Sequence, residues 1–392
     1  MADADNRAKA AGQPAVDLLV AGGGVMGLWT ALFAARAGLS VYLAERRHIG
    51  AGASGGILGA LMPHLPDRWN AKKAFQFEAL VSLEAEIAAL EAETGLSAGY
   101  RRSGRLIPLA KPHNRDIALG HARDALSVWK TPGRSFPFDV LDAPPVAGWP
   151  APEAMAHGLV HDHLAARLAP RALLNALKAA LERMPAVTLR EASGLVALDP
   201  AAGTTRFDDG NSLAFGHCVL AAGFETFALL GPITPPFAKP MGMAVKGQAA
   251  LLKAPVDPAL PVIFADGLYI VPHEDGLVAI GSTSENAFAE PLSTDGLLDG
   301  LIEKARRMAP VLANAPVVER WAGLRPKAIG REPMVGRHPD HANVSLMTGG
   351  FKVSFGLAHA LARAVLDEMK GGTLGVPPSF TVMAHFEEAG RR

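Results

Sequence analysis

One cysteine, three tyrosines and no net charge mark what this chain of 392 residues lacks. The single thiol, Cys218, excludes an internal disulfide and a zinc site built on cysteines, and it suits a reducing compartment. Lys+Arg and Asp+Glu both number 38, so no overall field draws the chain to polyanions, and nucleic acid is not expected as a partner. With 49% hydrophobic and only 19% charged residues, the composition is too apolar for a disordered chain. The longest apolar stretch, 16–44, is broken by Gly22, Gly23, Gly24, Gly27 and Gly38 and ends in Glu45-Arg46-Arg47. It reads as strand, turn and buried helix rather than as a membrane span. Residues 1–14 are small and polar, without the apolar segment of a targeting signal, and read as a disordered tail on a cytoplasmic protein. Neither a metal-ligand cluster nor a Ser-His-Asp set stands out.

What is present begins with an apolar strand at 16–21, the turn Gly22-x-Gly24-x-x-Gly27, helix formers up to Gly38 and a second strand at 40–44. In such a βαβ unit the first glycine permits the tight turn and the second lets the backbone approach a pyrophosphate. The third lets the helix pack close to the strand. The N–H groups of Val25 and Met26 are expected to hold phosphates at the helix start. Glu45, eighteen residues past Gly27, stands where a carboxylate receives a ribose diol. It argues against a 2′-phosphate, although Arg46 and Arg47 are adjacent; FAD and NAD both fit this unit.

Further along, helices are predicted over 70–94 (ended by Gly95), 117–129, 170–183, 294–308 and 356–370. Strands are predicted at 105–109, within 187–220 and within 243–282. The αβ parts and the strand-rich parts interleave, so two domains built from discontinuous pieces are expected. The run Arg101-Arg102-Ser103-Gly104-Arg105 reads as a solvated hairpin.

Four further segments carry more specific information: Ala53-Ser54-Gly55-Gly56-Ile57-Leu58-Gly59-Ala60; Cys218-Val219-Leu220-Ala221-Ala222-Gly223; Tyr269-Ile270-Val271-Pro272 with Gly281-Ser282-Thr283; and Trp321-Ala322-Gly323-Leu324-Arg325-Pro326 followed by Val335-Gly336-Arg337-His338-Pro339 and Gly349-Gly350-Phe351-Lys352. In this order and spacing the chain resembles the FAD-dependent D-amino-acid oxidase superfamily and, within it, looks most like the glycine oxidases. The resemblance implies an α/β fold in which a Rossmann-type FAD-binding domain (16–80, 150–238 and 320–372) interleaves with an α+β substrate domain (81–149 and 239–319). The latter would contain a large, mostly antiparallel sheet. It further implies non-covalent FAD, since no cysteine lies near the flavin loop. Flavin contacts would come from Gly22, Gly24, Val25, Met26, Gly27, Glu45 and Arg46, and from the loop Ala53, Ser54, Gly55, Gly56 and Ile57. Gly194, Ala222, Gly223 and the loop Gly350, Phe351, Lys352, Val353, Ser354, Phe355 and Gly356 complete the set. A final helix beginning near Gly356 would aim its N-terminus at the flavin.

By the same resemblance, Arg325 binds the substrate carboxylate, for which a planar guanidinium offers two parallel donors. Tyr269 reaches the substrate with its hydroxyl. Lys352 stands where glycine oxidases carry an arginine; it keeps the charge without the forked geometry, which puts glycine itself in doubt and admits a longer substrate. His64 sits at the mouth of the flavin loop, and Ser284 and Glu285 are candidates for lining the pocket. The activity implied is oxidation of the C–N bond of a small amino acid of glycine, sarcosine or D-amino-acid type. Hydride would pass to flavin, giving an imine, then keto acid and ammonia, with O2 reduced to H2O2. The alternatives are a D-amino-acid or opine-type dehydrogenase that passes electrons to a quinone or carrier, the oxidase module of a tRNA-modifying enzyme, and a flavin-binding scaffold. The substrate side chain, stereochemistry and oligomeric state are left open at this level.

Overall fold

A computed structural model describes residues 15–390; the expected tail at 1–14 lies outside them. Within the strand Ala15–Ala21, Leu18, Leu19 and Val20 are all fully buried, as a run without polar alternation requires of a central parallel strand. It pairs in parallel with Val41–Ala44 on one side and Ser212–Leu220 on the other. Val187–Arg190 extends the sheet beyond Val41–Ala44, and His341–Thr348 joins Ser212–Leu220 in parallel. Thr204–Phe207, Leu195–Asp199 and Met334–His338 add antiparallel edges.

One face of this sheet is covered by the helices Val25–Arg36, Ala71–Thr94, Pro170–Glu182 and Ser354–Met369, which share a core with Leu18, Val20 and Leu43. The longest of them starts at Asn70, whose side chain accepts from Lys73 N–H, and stops at Gly95 with φ +73°. Its Leu80, Leu83, Ile87 and Leu90 point inward at helical spacing. The last long helix begins at Ser354, two residues before the expected Gly356.

The second sheet runs, in spatial order, Val317–Ala328, Gly242–Lys253, Leu277–Gly281, Leu268–Pro272, Val262–Ala265, Arg105–Pro108, Leu159–Asp162 and Phe138–Leu141. All neighbours are antiparallel except Val262–Ala265 beside Arg105–Pro108. Its outer face carries Leu252, Ile263, Ile270 and Ile280, which pack under the helix Gly296–Met308 through Leu298, Ile302 and Ala305. The inner face presents a row of registered partners, Phe264, Tyr269, Gly281, Ala249 and Trp321. Two segments pair differently from the expected domain limits. Leu159–Asp162 and the strand carrying Trp321 and Arg325 belong to this second sheet, not to the nucleotide-binding one. Short strands carry their own alternation but not the identity of the edge they join.

Candidate active site

One cavity is lined from both sheets. At one end Gly22 has φ +115°, and a Cβ there would lie 2.4 Å from the Ala221 carbonyl oxygen. The turn therefore brings the start of the helix Val25–Arg36 to the cavity, with Gly24, Val25 and Met26 on its wall. Gly27 lies behind them, its missing Cβ allowing the Gly22 carbonyl to approach. Val25 N–H does not stand free as expected, because Ser54 Oγ accepts it at 3.1 Å. The loop after the second strand folds back over the helix start and supplies that acceptor. Met26, at the second helical position, has no helical carbonyl for its N–H. Glu45 braces the turn, with Oε2 accepting from Gly23 N–H at 2.8 Å and Oε1 from Arg47 N–H at 2.9 Å. Arg46 lines the same end and pairs with Glu225 at 3.2 Å.

Ala53, Ser54, Gly56, Ile57, Ala222 and Gly223 continue the wall, and Phe351, Lys352, Val353, Ser354, Phe355 and Gly356 close it. Gly55 and Gly350 do not reach the cavity. The first is tucked against the Gly50 carbonyl, the second against the side chains of Ser354 and Met26. Gly194 borders the cavity, its N–H donating to Asp208 Oδ1 at 2.7 Å and its carbonyl accepting from Asp208 N–H at 2.8 Å.

The other end is cationic. Arg325 projects from Val317–Ala328 over Gly247, and its Nη1 donates to the Thr283 carbonyl at 3.0 Å. Burial lowers its pKa to about 10, opposed by Glu285 and Tyr269, and leaves it charged at neutral pH. The Thr283 loop is pinned from behind: Gln248 N–H donates to Thr283 Oγ1 at 2.9 Å, and the Thr283 hydroxyl donates to Glu285. Glu285 also accepts from Gln248 Nε2 at 3.0 Å and lies 3.7 Å from the ammonium of the buried Lys246. Glu285 thus turns away from the cavity and Ser284 is exposed; Ser282 takes the wall position expected of them. The chain reverses at the strand end, which spacing alone does not reveal.

Tyr269 is half-buried with its ring 4.6 Å from that of Phe264, and its hydroxyl has no hydrogen-bond partner among the described residues. Burial raises its pKa against the opposing pull of Arg105 and Arg325. Lys352 holds its ammonium 5.5 Å from the centre of the Phe351 ring, with no carboxylate in ion-pair range among the described residues. Burial, and then Arg325, lowers its pKa. His64 stands at the cavity wall, its backbone N–H donating to Gln76 Oε1 at 2.6 Å; burial and Lys72 lower the ring's pKa and keep it neutral.

Two lining residues escape a reading of the sequence. Gln76 is buried and ties the Met62–His64 loop to its helix; its only signal is a polar residue one turn before Leu80 on the inward face. Arg105 overturns the expected solvated hairpin. It is only 5% exposed, lines the cavity and donates from Nε to the fully buried Asp162 at 2.6 Å. Arg102 is half-buried, its side chain only 6% exposed and pairing with Glu84 at 2.9 Å, while Arg101 stays exposed as expected. The acids that draw these arginines inward are distant in sequence, so the run looks like a solvent-facing one.

A sequence profile of the FAD dependent oxidoreductase family, DAO, matches residues 17–367. The chain belongs to that family. It is 29% identical over 384 residues to a glycine oxidase of Pseudomonas putida, spanning 92% of this chain and 96% of that one. A glycine oxidase of Pseudomonas aeruginosa is also 29% identical, over 378 residues, 90% of this chain and 94% of its own. Among solved structures, glycine oxidase from Geobacillus kaustophilus matches with a TM-score of 0.81 at 20% identity, covering 94% of this chain and 98% of that one. L-proline dehydrogenase from P. horikoshii matches at 0.79 and 17%, covering 97% and 100%. The fold class expected from the sequence is therefore that of the family, and FAD is its cofactor.

The residues of this DAO-family chain fit that group. Two helices, Val25–Arg36 and Ser354–Met369, begin at the cavity wall with no cap from the side chain of their own N-cap residues, Gly24 and Val353; at the first, Ser54 takes the Val25 N–H and leaves that of Met26. Both starts favour anionic groups, one at the dinucleotide turn and one near the cationic end. Glu45 and Arg46 border the same cavity. Among the described residues no helix is long and apolar enough to cross a membrane.

Proposed function

We propose that this FAD-dependent oxidoreductase oxidises the C–N bond of a small amino acid or N-substituted glycine, with Arg325 as the carboxylate anchor. Bound FAD supplies a two-electron acceptor for the hydride on the α-carbon, reoxidised by O2 to give H2O2. The chain's own task is to orient the substrate. Arg325 is held by the Thr283 carbonyl on Nη1, which leaves the rest of its fork to a carboxylate. Tyr269 offers the same substrate a hydroxyl with no partner among the described residues, and Lys352 adds charge without a fixed geometry. His64 is the one imidazole on the cavity wall among the described residues, so the amine is taken to arrive neutral and to release its proton to solvent. The imine product hydrolyses to a keto acid and ammonia or an amine. Cys218 is fully buried and absent from the cavity wall, which supports FAD held without a thioether.

The observation that carries this reading is a charged, half-buried guanidinium on the cavity wall beside a free phenol. Its test is an anaerobic screen of amino acids for loss of flavin absorbance, repeated with Arg325→Ala. Bleaching that needs at least about 100-fold more substrate in the variant, with FAD still bound, is the expected result. Unchanged affinity removes the anchor, and reduced flavin that persists in air removes the oxidase half of the reading.

A further inference from the structure

We propose that Arg105 forms a second anion subsite in the cavity, so that the enzyme takes amino dicarboxylates, the far carboxylate binding Arg105 while the α-carboxylate binds Arg325. The inference rests on the amino-acid oxidation proposed above. It starts from a cation where a cavity for a small apolar amino acid needs none. Arg105 is 5% exposed and reaches the wall from the inner face of the second sheet, its guanidinium 5.9 Å from the centre of the Phe264 ring.

Asp162 holds this arginine from behind through Nε. Nη2 lies as close to the same oxygen, 2.6 Å, so one carboxylate oxygen engages both, while Nη1 has no hydrogen-bond acceptor among the described residues. A guanidinium on the cavity wall with Nη1 unused keeps a donor for an acceptor that enters the cavity. Asp162 has its other oxygen on Ala165 N–H, so it is committed to the fold rather than free to swing across. The other acid near the cationic end, Glu285, is bound up with Lys246, Gln248 and Thr283. Lys352 faces the same cavity with no acid in ion-pair range among the described residues. The described cavity end therefore holds three cations, of which only Arg105 has a carboxylate against it.

The two guanidinium groups stand apart along the second sheet. That of Arg325 lies against Gly247 of the strand Gly242–Lys253, and that of Arg105 lies between Asp162 and the Phe264 ring. A dicarboxylate must therefore carry a spacer between its two anions to engage both, and glutarate is taken as the probe. Tyr269 sits between, its hydroxyl under the influence of both guanidinium groups.

The experiment titrates the holoenzyme with glutarate and with butyrate, following the flavin absorbance band, and repeats both with the paired variant Arg105→Gln/Asp162→Asn, which leaves no buried acid unpaired. The expected result is glutarate at least 10-fold tighter than butyrate in the parent and a ratio below 3 in the variant. Equal affinities in the parent, or a ratio that survives the variant, overturn the subsite. Should the paired variant lose its fold, Arg105→Lys replaces it; this keeps the charge against Asp162, removes the fork, and should cut the ratio at least threefold. Anaerobic bleaching by the enantiomers of glutamate, compared with those of norvaline, then reads the same ratio in turnover. If norvaline bleaches the flavin as well as glutamate does, only the subsite fails. If no amino acid bleaches it, the oxidase reading fails while the glutarate titration still decides the subsite.

Discussion

The Arg325 guanidinium occupies the space a side chain on Gly247 would fill: a Cβ at position 247 would lie 2.1–2.2 Å from Nη1, Nη2 and Cζ alike. The three equal distances mean that the planar group lies flat across the neighbouring strand. The glycine is thus a seat for the anchor rather than a flexible point in the strand. The Gly247→Ala variant should displace the fork from the Thr283 carbonyl without touching any charge. Losing a charge-assisted contact of about 1.5–3 kcal/mol predicts a 10- to 100-fold rise in the dissociation constant for simple carboxylates. Flavin titration with acetate measures it, and FAD content should hold. An alanine variant with parental affinity would show that the seat does not position the fork.

The second tier behind the anchor makes a separate prediction. Glu285 neutralises Lys246, which is only 2% exposed, and takes the Thr283 hydroxyl whose carbonyl steadies Arg325. In Glu285→Gln the loop keeps its size but loses the charge. KM should rise about 3- to 10-fold with kcat less affected, because the change acts on binding through loop position. Stability should fall by about 1–3 kcal/mol, since Lys246 then has Asp295 alone. A loss of kcat with KM unchanged would place Glu285 in the chemistry instead.

These two relationships mark where the sequence is readable and where it stops. Gly22, Gly24, Gly27 and Glu45 announce themselves because their roles lie within one strand, turn and helix, where spacing and geometry are the same thing. Arg325 and Tyr269 come from family resemblance, and they do share one cavity wall. Gly247 and Arg105 are silent for opposite reasons. A lone glycine in a strand has many explanations, and its partner, Arg325, lies 78 positions away on a neighbouring strand. Arg105 belongs to a charged run that looks solvated, and only pairing between Arg105–Pro108 and Leu159–Asp162 places Asp162 across from it. Burial of charge is a tertiary fact, set by a distant partner, so local pattern cannot supply it.

At the nucleotide end, Glu45 is bonded to the backbone on both oxygens, at Gly23 and Arg47. Its removal in Glu45→Ala should loosen the turn as well as withdraw a carboxylate from the cavity. About 1.5–3 kcal/mol for charged hydrogen bonds predicts FAD retention weakened 10- to 100-fold. Titrating apoprotein with FAD and following the flavin fluorescence measures this. Parental FAD affinity in the variant would assign Glu45 to neither task.

Lys352 gives the pH dependence a direction. Burial first, and Arg325 second, disfavour its ammonium, so its proton leaves at a lower pH than that of an ordinary lysine near 10.4. Its positive charge is present below that lowered value and is lost as pH rises through it. Arg325, lowered to about 10, loses its own charge on the alkaline side of neutrality. The dissociation constant for acetate, whose own charge is constant above pH 6, should rise as pH climbs through the lowered Lys352 value. In Lys352→Met the affinity should be about 3- to 10-fold weaker below that value, and the part of the rise due to Lys352 should vanish, leaving the part that belongs to Arg325. Lys352→Arg should restore the lost affinity and also lack the Lys352 part of the rise, because a guanidinium holds its proton to higher pH than an ammonium. An unaltered pH profile in the Met variant would show that the titrating group is not Lys352.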